Sequence, residues 1–90
     1  MKWSYRLRGI AVGRKSRTKP QKLHAKLLAI RRRLNLTQPA MAERLEIVSA
    51  KRLSEFESGR REPDLLVLLR YARVAGCSVE HLIDDEIVWP

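Results

Sequence analysis

The sequence has 90 residues, of which 44% are hydrophobic, and its 19 Lys and Arg against 10 Asp and Glu give a formal net charge of +9. This length is enough for one compact domain with a tail, but not for two domains or a deep catalytic cleft, so we expect no enzyme. Such a positive charge predicts an anionic partner, with nucleic acid first and an anionic membrane surface second.

The positive charge is concentrated in the first half of the chain. Residues 1–42 contain twelve Lys and Arg and no acidic residue, whereas residues 43–90 contain seven Lys and Arg and ten acidic residues. No apolar run approaches the roughly 20 residues that span a bilayer, and the first residues lack the apolar stretch of a secretion signal. We therefore expect no membrane partner and a cytoplasmic location.

The sequence offers little for metal or cofactor binding. Its single cysteine, Cys77, excludes an internal disulfide and a cysteine-based zinc site. His24 and His81 lie on different predicted helices, with no Cys or Glu beside them at the spacing of metal ligands. We expect no metal site, no cofactor and no catalytic residue.

Residues 1–20 are predicted to form a basic N-terminal arm with seven Lys and Arg and no helical periodicity. Trp3, Tyr5 and Leu7 alternate with polar residues, which would suit a short strand if a partner edge were available. Three interpretations stay open: a solvated, flexible tail, an arm that becomes ordered on DNA, and a strand or dimer contact.

Two helices are predicted at the start of the domain, which we place at residues 21–86. The first extends from Gln21 to about Leu34, because apolar residues recur there at helical spacing. Asn35 is expected to adopt the left-handed conformation that ends it. Thr37 is the predicted N-cap of a second helix, which extends to about Leu45.

Three more helices are predicted beyond this pair. Ser49 caps a third helix of about nine residues, with Leu53 and Phe56 inside, and Gly59 ends it. Asp64 caps a fourth helix, which Gly76 stops, and Ser78 caps a short fifth helix. Residues 87–90 form a C-terminal tail. The predicted inward residues of the last two helices are Leu65, Leu68, Leu69, Ala72, Val79, Leu82 and Ile83.

The second and third helices match the DNA-binding helix-turn-helix, since they are short, joined by a tight turn, and apolar on one side of the second member. At about 100° per residue, the side of the third helix opposite Leu53 and Phe56 is centred on Lys51 and Glu55. This side is predicted to enter the major groove, with Ala50, Lys51 and Arg52 at the helix end that reaches base edges.

The ordered motifs resemble the lambda-repressor-like regulators, the family of Cro, phage repressors and xenobiotic-response-element regulators. The resemblance covers about residues 22–84 and leaves the arm unexplained. It implies an all-α, compact five-helix domain that binds double-stranded DNA, as a dimer on a two-fold operator. It is carried by Leu36-Thr37-Gln38, Ala42-Glu43-Arg44-Leu45, Leu53-Ser54-Glu55-Phe56-Glu57-Ser58-Gly59, Arg61-Glu62-Pro63, Leu68-Leu69-Arg70-Tyr71-Ala72-Arg73 and Val79-Glu80-His81-Leu82-Ile83.

The resemblance also implies roles for single residues. Gln38 resembles a glutamine that contacts a phosphate and braces the recognition helix. Ala50, Lys51 and Glu55 resemble base-facing positions, Ser54 and Arg60 resemble positions that meet the DNA backbone, and Glu57 resembles a structural acid paired within the fold.

The sequence departs from the family pattern in two places. The turn Leu45-Glu46-Ile47-Val48-Ser49 is one residue longer than usual and has no glycine, which leaves the angle between the two helices open. A residue other than glycine in a left-handed turn position costs about 1 kcal/mol, which a different turn could relieve. Glu55 faces the groove, where it either accepts from a cytosine amino group or is solvated or paired with Lys51.

Other arginines are candidates for phosphate contacts. Arg60 and Arg61 follow the recognition helix in a loop, a frequent position for backbone contacts. Arg31 belongs to a run of three arginines, of which at most two can share a helix face.

The resulting function is a sequence-specific transcriptional regulator, most simply a repressor. An antitoxin-like module that also binds a protein partner, through the arm or the Ile87-Val88-Trp89 end, is the alternative. RNA binding through the basic arm is a third interpretation.

Overall fold

A computed structural model describes residues 19–88 of the chain. Within them the chain forms five helices and no strand, which confirms the all-α, five-helix expectation. Residues 1–18 of the predicted arm and the last two residues of the predicted tail lie outside the described part. The helices are α1 (Leu23–Arg33), α2 (Gln38–Arg44), α3 (Ala50–Ser58), α4 (Leu65–Ala75) and α5 (Val79–Ile83).

The helix ends follow the predicted capping residues closely. The side chains of Thr37, Ser49 and Asp64 accept hydrogen bonds from the backbone N–H three residues later, at 3.3, 3.2 and 2.9 Å. Gly59 and Gly76 end α3 and α4 in the left-handed conformation. Ser78 is the exception, because its hydroxyl contacts His81 Nδ1 at 2.8 Å and makes no cap hydrogen bond to the backbone.

One apolar core joins all five helices. The helix α3 packs against both α1 and α2, and α5 packs against α4 and α1. Each helix or its C-cap contributes a side chain with no exposed surface, and these include Leu27, Met41, Leu45, Leu53, Tyr71 and Leu82. Because α3 packs against both α1 and α2, one side of it faces the core, and the opposite side faces away from the domain.

The buried face of α4 differs from the predicted one. Leu65 is 82% exposed and Leu69 is only half-buried, although both were predicted to point inward. Residues 65–69 are all apolar, so periodicity alone could not select a face of the helix. Ile83, also predicted inside, is 43% exposed, and apolar surface is therefore exposed on both α4 and α5. The residues of α4 that are buried are Val67, Leu68, Tyr71 and Ala72.

Four hydrogen bonds tie the end of the described chain to α1 and to the two residues before it. The buried Nζ of Lys26 donates to the backbone oxygens of His81 and Asp84, at 2.7 and 2.8 Å, and so satisfies carbonyls at the end of α5. The Asp85 carboxylate accepts from the backbone N–H of Gln21 and of Lys22, at 2.8 and 3.0 Å. The start of α1 is thus held by a residue that lies 63 or more positions later in the chain.

Candidate nucleic-acid interface

The turn between α2 and α3 contains a strained residue. Glu46 has a φ of 57°, in the left-handed region, and its place is the one where the sequence lacks a glycine. The Ile47 N–H donates to the Ala42 oxygen at 3.0 Å, and the Arg70 guanidinium donates to the Leu45 oxygen at 3.1 Å. The longer turn therefore does not relieve the left-handed position. Glu46 adopts it, and hydrogen bonds from the turn and from α4 keep it there.

The carboxylate of Glu57 joins three helices. It accepts from Nε and Nη2 of Arg31 on α1, at 2.7 and 3.1 Å, and from Nε2 of Gln38 on α2, at 3.0 Å. The side chain of Glu57 is only 5% exposed. Because both of its oxygens have donors, the buried charge is compensated, and α3 is held in a fixed position against α1 and α2. The expectation that Glu57 is a structural acid paired within the fold agrees with this geometry.

Arg31 is used inside the protein. Besides its two hydrogen bonds to Glu57, it donates from Nη1 to the Leu36 oxygen at 2.9 Å. The hydrogen bond with Glu57 raises the pKa of the Arg31 guanidinium, against a smaller opposing effect of burial. Arg31 therefore has a structural role that uses three of its five N–H donors, and its predicted phosphate contact stays a prediction.

Gln38, the first residue of α2, contacts the recognition helix α3, as the family resemblance implies. Its amide nitrogen donates to Glu57, the residue that also binds Arg31. Gln38 therefore fixes α2 relative to α3, and Nε2 keeps a second hydrogen that this contact does not use. Its contact to a phosphate stays a prediction.

The outer side of α3 is polar and open. Leu53 and Phe56, on the inner side, are 0% and 4% exposed. Lys51, Ser54 and Ser58 are exposed on the outer side. This division is the one that the spacing of apolar residues predicts, and it leaves a cation near the N-terminal end of the helix.

Ala50 and Arg52 are less exposed than Lys51. Ala50 is half-buried at the first position of α3. Arg52 lies on the flank toward α4, where it lines a groove of about 350 Å³ together with Val67 and Arg70. The predicted base contact of Arg52 would therefore require its side chain to leave this flank.

Glu55 is paired with arginines and not with Lys51. Its Oε1 lies 3.1 Å from Nε of Arg61 and 3.6 Å from Nε of Arg52. Of the alternatives left open for Glu55, pairing with Lys51 is not the one found, because the loop after α3 turns back and brings Arg61 to the carboxylate. The backbone N–H groups of Arg60 and Arg61 donate to the Glu55 oxygen at 3.0 and 3.3 Å, which fixes this loop at the helix end.

The loop after α3 meets the start of α1. Arg60 and Arg61 are exposed, and they line a cavity of about 300 Å³ that His24 and Lys19 line from the other side. The His24 ring lies close under Gly59, since a Cβ placed on that glycine would be 3.4 Å from Cγ of His24. Lys19 and His24 thus line the same cavity as the two arginines that are predicted to bind phosphate.

Comparison with known proteins gives the same motif. The helix-turn-helix family profile matches residues 27–82, which is more than half of the chain. The chain belongs to the helix-turn-helix family. It is a DNA-binding regulator domain, and its all-α, five-helix fold is the one that the resemblance in sequence implied.

Two solved structures resemble this helix-turn-helix domain. One is the P22 c2 repressor protein in complex with a synthetic operator, with a TM-score of 0.65 and 24% identity over 70% of this chain and 94% of that chain. The other is the solution structure of the P22 c2 repressor DNA-binding domain, with a TM-score of 0.66 and 22% identity over 79% of this chain and 92% of that chain. These structures share the fold. A search of curated proteins returned no match.

Sequence reasoning missed three residues that matter to this helix-turn-helix domain. Arg70 supports the turn, Lys26 closes α5, and His24 lies beside the loop after α3. A signal existed for Lys26, which follows Leu23 by three residues and precedes Ile30 by four, so it falls on the buried side of α1. The other two depend on how distant segments meet, and local spacing carries no signal for them.

Two properties of the described residues bear on other classes of function. Between residues 19 and 88, no helix is long and apolar enough to cross a membrane. The same part of the chain contains no group of three or more His, Cys, Asp or Glu side chains that could hold a metal ion.

Proposed function

We propose that the chain binds double-stranded DNA sequence-specifically and represses transcription, with α3 in the major groove. The observation that carries this proposal is the division of α3 into a buried side and an exposed polar side that bears Lys51 and Ser54. A major groove about 12 Å wide admits one α-helix, and polar side chains on the entering side read the base edges. The contacts of Glu57 hold the helix in place before DNA binds, so that little conformational freedom is lost on binding.

Lys51 is proposed as the main base-reading residue. It is exposed near the N-terminal end of α3, and a lysine in the major groove donates to O6 and N7 of guanine. Ala50, at the first position, offers a methyl group that suits contact with a thymine methyl. Arg52 joins them only if DNA draws its side chain away from the flank toward α4.

Glu55 is proposed to act in one of two ways. Paired with Arg61 and Arg52, its charge is compensated, and it does not repel phosphates. If phosphates take over these arginines in the complex, the freed carboxylate can accept from a cytosine amino group. The same two arginines would therefore control whether Glu55 reads a base.

Phosphate contacts are proposed for the residues around α3. Arg60 and Arg61 are exposed at the end of the helix, and Ser54 is exposed on its outer side. Gln38 can use its second amide hydrogen at the start of α2. Lys19 and His24 add to the same surface, because they line the cavity beside Arg60 and Arg61.

The protein is proposed to bind as a homodimer on a two-fold operator. This follows from the family resemblance, and the P22 c2 repressor structure in complex with a synthetic operator is a related case. Two recognition helices about 34 Å apart would read half-sites one helical turn apart. Sedimentation of the protein with an operator duplex measures the stoichiometry, and one chain per full operator would contradict this part of the proposal.

The experiment that tests DNA binding begins with selection of binding sites from random duplexes. Affinity for the selected site is then measured over a series of salt concentrations. With about six phosphates neutralised per bound unit, the logarithm of the association constant should fall with the logarithm of the salt concentration, with a slope of about −5. A random duplex and an RNA duplex serve as controls at equal salt. Affinity that is independent of salt, or equal for all three duplexes, would contradict the proposal.

An antitoxin-like function with a protein partner is the alternative. The exposure of Val88, 79%, favours it, because this residue lies in the Ile87-Val88-Trp89 end to which such a partner would bind. Purification from the native host separates the two functions. A stoichiometric small protein that is lost on Val88→Asp would favour the antitoxin-like function, whereas its absence would favour the regulator alone.

A further inference from the structure

A second groove, next to the cavity beside Arg60 and Arg61, has an apolar floor. It has a volume of about 700 Å³ and lies between the start of the described chain, α4 and α5. Leu65 and Ile83, which sequence analysis placed in the core, line it and are 82% and 43% exposed. Leucine and isoleucine side chains exposed along a concave surface are typical of a binding groove.

The edge of this groove is acidic. Among its lining residues, all in the described part, Lys19 is the single Lys or Arg. A second copy of the chain in a two-fold contact would place the same carboxylates opposite each other, and like charges in such a contact repel. The groove therefore suits a partner that is both apolar and basic. The acidic lining residues are Glu62, Asp64, Asp84, Asp85 and Glu86.

The chain itself contains a segment of this chemistry. Residues 1–18 carry six Lys and Arg and no acidic residue. Trp3, Tyr5 and Leu7 alternate with Ser4, Arg6 and Arg8. In an extended segment, alternate residues point to opposite sides, so the three apolar side chains share one side.

The segment also begins at the right place. Lys19 and Pro20 line the groove, so residues 1–18 continue directly from its wall. Trp3 lies 17 positions before Pro20, and an extended chain of that length spans up to about 55 Å, far more than the groove requires. A short tether raises the effective concentration of a segment at its site to the millimolar range, so weak contacts suffice.

We propose that this groove is the docking site for the chain's own residues 1–18. Trp3, Tyr5 and Leu7 pack against Leu65 and Ile83, and the basic side chains lie beside the acidic edge. The docking does not depend on DNA, and it fills apolar surface that α4 and α5 leave exposed. Because opposite charges contribute to it, the docking weakens as salt is added.

The test uses the full chain with a spin label at position 4. Ser4→Cys in a Cys77→Ser background takes the nitroxide, and position 4 lies on the polar side of the alternating segment. Docking predicts that the methyl signals of Leu65 and Ile83 broaden several-fold more than that of Val48, which lies in the turn before α3. Equal broadening of all three signals would overturn the proposal.

A mixed sample distinguishes a segment that docks within one chain from one exchanged between two. Spin-labelled chains without methyl labels are mixed with methyl-labelled chains that carry no nitroxide. Docking within one chain predicts that the broadening of Leu65 and Ile83 disappears in this mixture. Broadening that persists would place the segment on a second copy and overturn the assignment.

Variants outside the folded core test the side chains. Trp3→Ser in the spin-labelled chain should reduce the broadening at Ile83, whereas Ile10→Ser, outside the alternating residues, should leave it unchanged. Both changes lie outside residues 19–88, and circular dichroism confirms that the helices are retained. An equal effect of the two variants would show that the alternating residues do not carry the docking.

Discussion

The carboxylate of Glu57 and the guanidinium of Arg31 are joined by two hydrogen bonds, with Nε at 2.7 Å and Nη2 at 3.1 Å. The two side chains are 26 residues apart in sequence, and both are largely shielded from water. The pair sets the position of α3, the proposed recognition helix, against α1. A charge pair inside the fold therefore supports a surface that is proposed to read DNA outside it.

Arg31→Met should destabilise the domain by about 3 kcal/mol, because the Glu57 charge would stay buried with only Gln38 as a donor. Urea denaturation followed by circular dichroism measures the change in unfolding free energy. Arg32→Met is the matched control, since Arg32 is the exposed neighbour on the same helix, and it should cost no more than about 0.5 kcal/mol.

The double variant Arg31→Met with Glu57→Met checks the cause. Replacing both partners removes the uncompensated charge, so the double variant should be more stable than Arg31→Met alone. A double variant whose loss equals the sum of the two single losses would contradict this explanation.

The contact between Arg31 and Glu57 could not be predicted from the sequence. The run of three arginines suggested a phosphate contact, and helical geometry limited how many of them could share a face. Which of the three turns inward depends on Glu57, whose distance along the chain leaves no local pattern. The assignment of Glu57 as a paired acid was available from the family resemblance, but its partner was not.

Lys51→Ala should reduce the preference for the selected operator over random DNA by about 5- to 150-fold, because the loss of one base contact costs about 1–3 kcal/mol in discrimination. Arg60→Ala should weaken binding to both duplexes alike and lower the salt slope by about one, since a phosphate contact carries no sequence information. Gel-shift titrations on both duplexes measure these effects.

Arg73→Ala is the charge-matched control for both variants. Arg73 is exposed on α4, and its substitution by alanine removes one positive charge far from the α3 surface in sequence. Its effect on affinity should be smaller than that of Lys51→Ala or Arg60→Ala. If all three variants lost affinity equally, net charge and not the α3 surface would account for binding.

Glu46→Gly should stabilise the domain by about 0.5–1 kcal/mol. A left-handed φ costs a residue with a Cβ about 1–2 kcal/mol, and glycine avoids that cost while losing part of the gain through its freedom in the unfolded chain. The ion pair of Glu46 with Arg70 is long, at 3.7 Å, and the Glu46 side chain is 73% exposed, so its loss matters little.

Glu46→Gln separates the backbone strain from the ion pair with Arg70, since it removes the charge of residue 46 and keeps a side chain at the left-handed position. Thermal unfolding should give a higher midpoint for Glu46→Gly than for Glu46→Gln. A midpoint for the glycine variant at or below that of the glutamine variant would argue against strain in the turn.

Tyr71→Phe should leave the domain as stable as before or stabilise it by up to about 1 kcal/mol. The Tyr71 hydroxyl is buried and has no hydrogen-bond partner among residues 19–88, and burial raises the pKa of this phenol. Its removal therefore relieves an unsatisfied polar group and keeps the ring in the core. Tyr71→Leu, which removes ring volume, should instead destabilise the domain by about 2 kcal/mol or more. A loss on Tyr71→Phe as large as that on Tyr71→Leu would contradict the prediction.

The spacing of apolar residues is sufficient to predict the buried face of α3 but not that of α4. In α3, two apolar residues three positions apart define one inner side, and the structure buries both. In α4 the continuous apolar run fits several faces, and packing against the other helices selects one that contains Val67 and Tyr71 in place of Leu65. The exposed apolar surface on α4 and α5 is therefore a tertiary result that the pattern could not reveal.

Asp85 should make the domain less stable in acid. The backbone N–H groups of Gln21 and then Lys22 lower the pKa of this carboxyl in the folded protein, so folding favours the ionised form. The stabilisation is present above the unfolded pKa of about 3.9 and is lost as pH falls through the lower folded value. Asp85→Asn should therefore be less stable than the unmodified chain at neutral pH, and the difference should shrink as the pH falls below about 4. Urea midpoints over this range measure it, with Glu80→Gln, an exposed change on α5, as the control. A difference between Asp85→Asn and the unmodified chain that stays constant down to the lowest pH would show that these hydrogen bonds do not depend on the charge of Asp85.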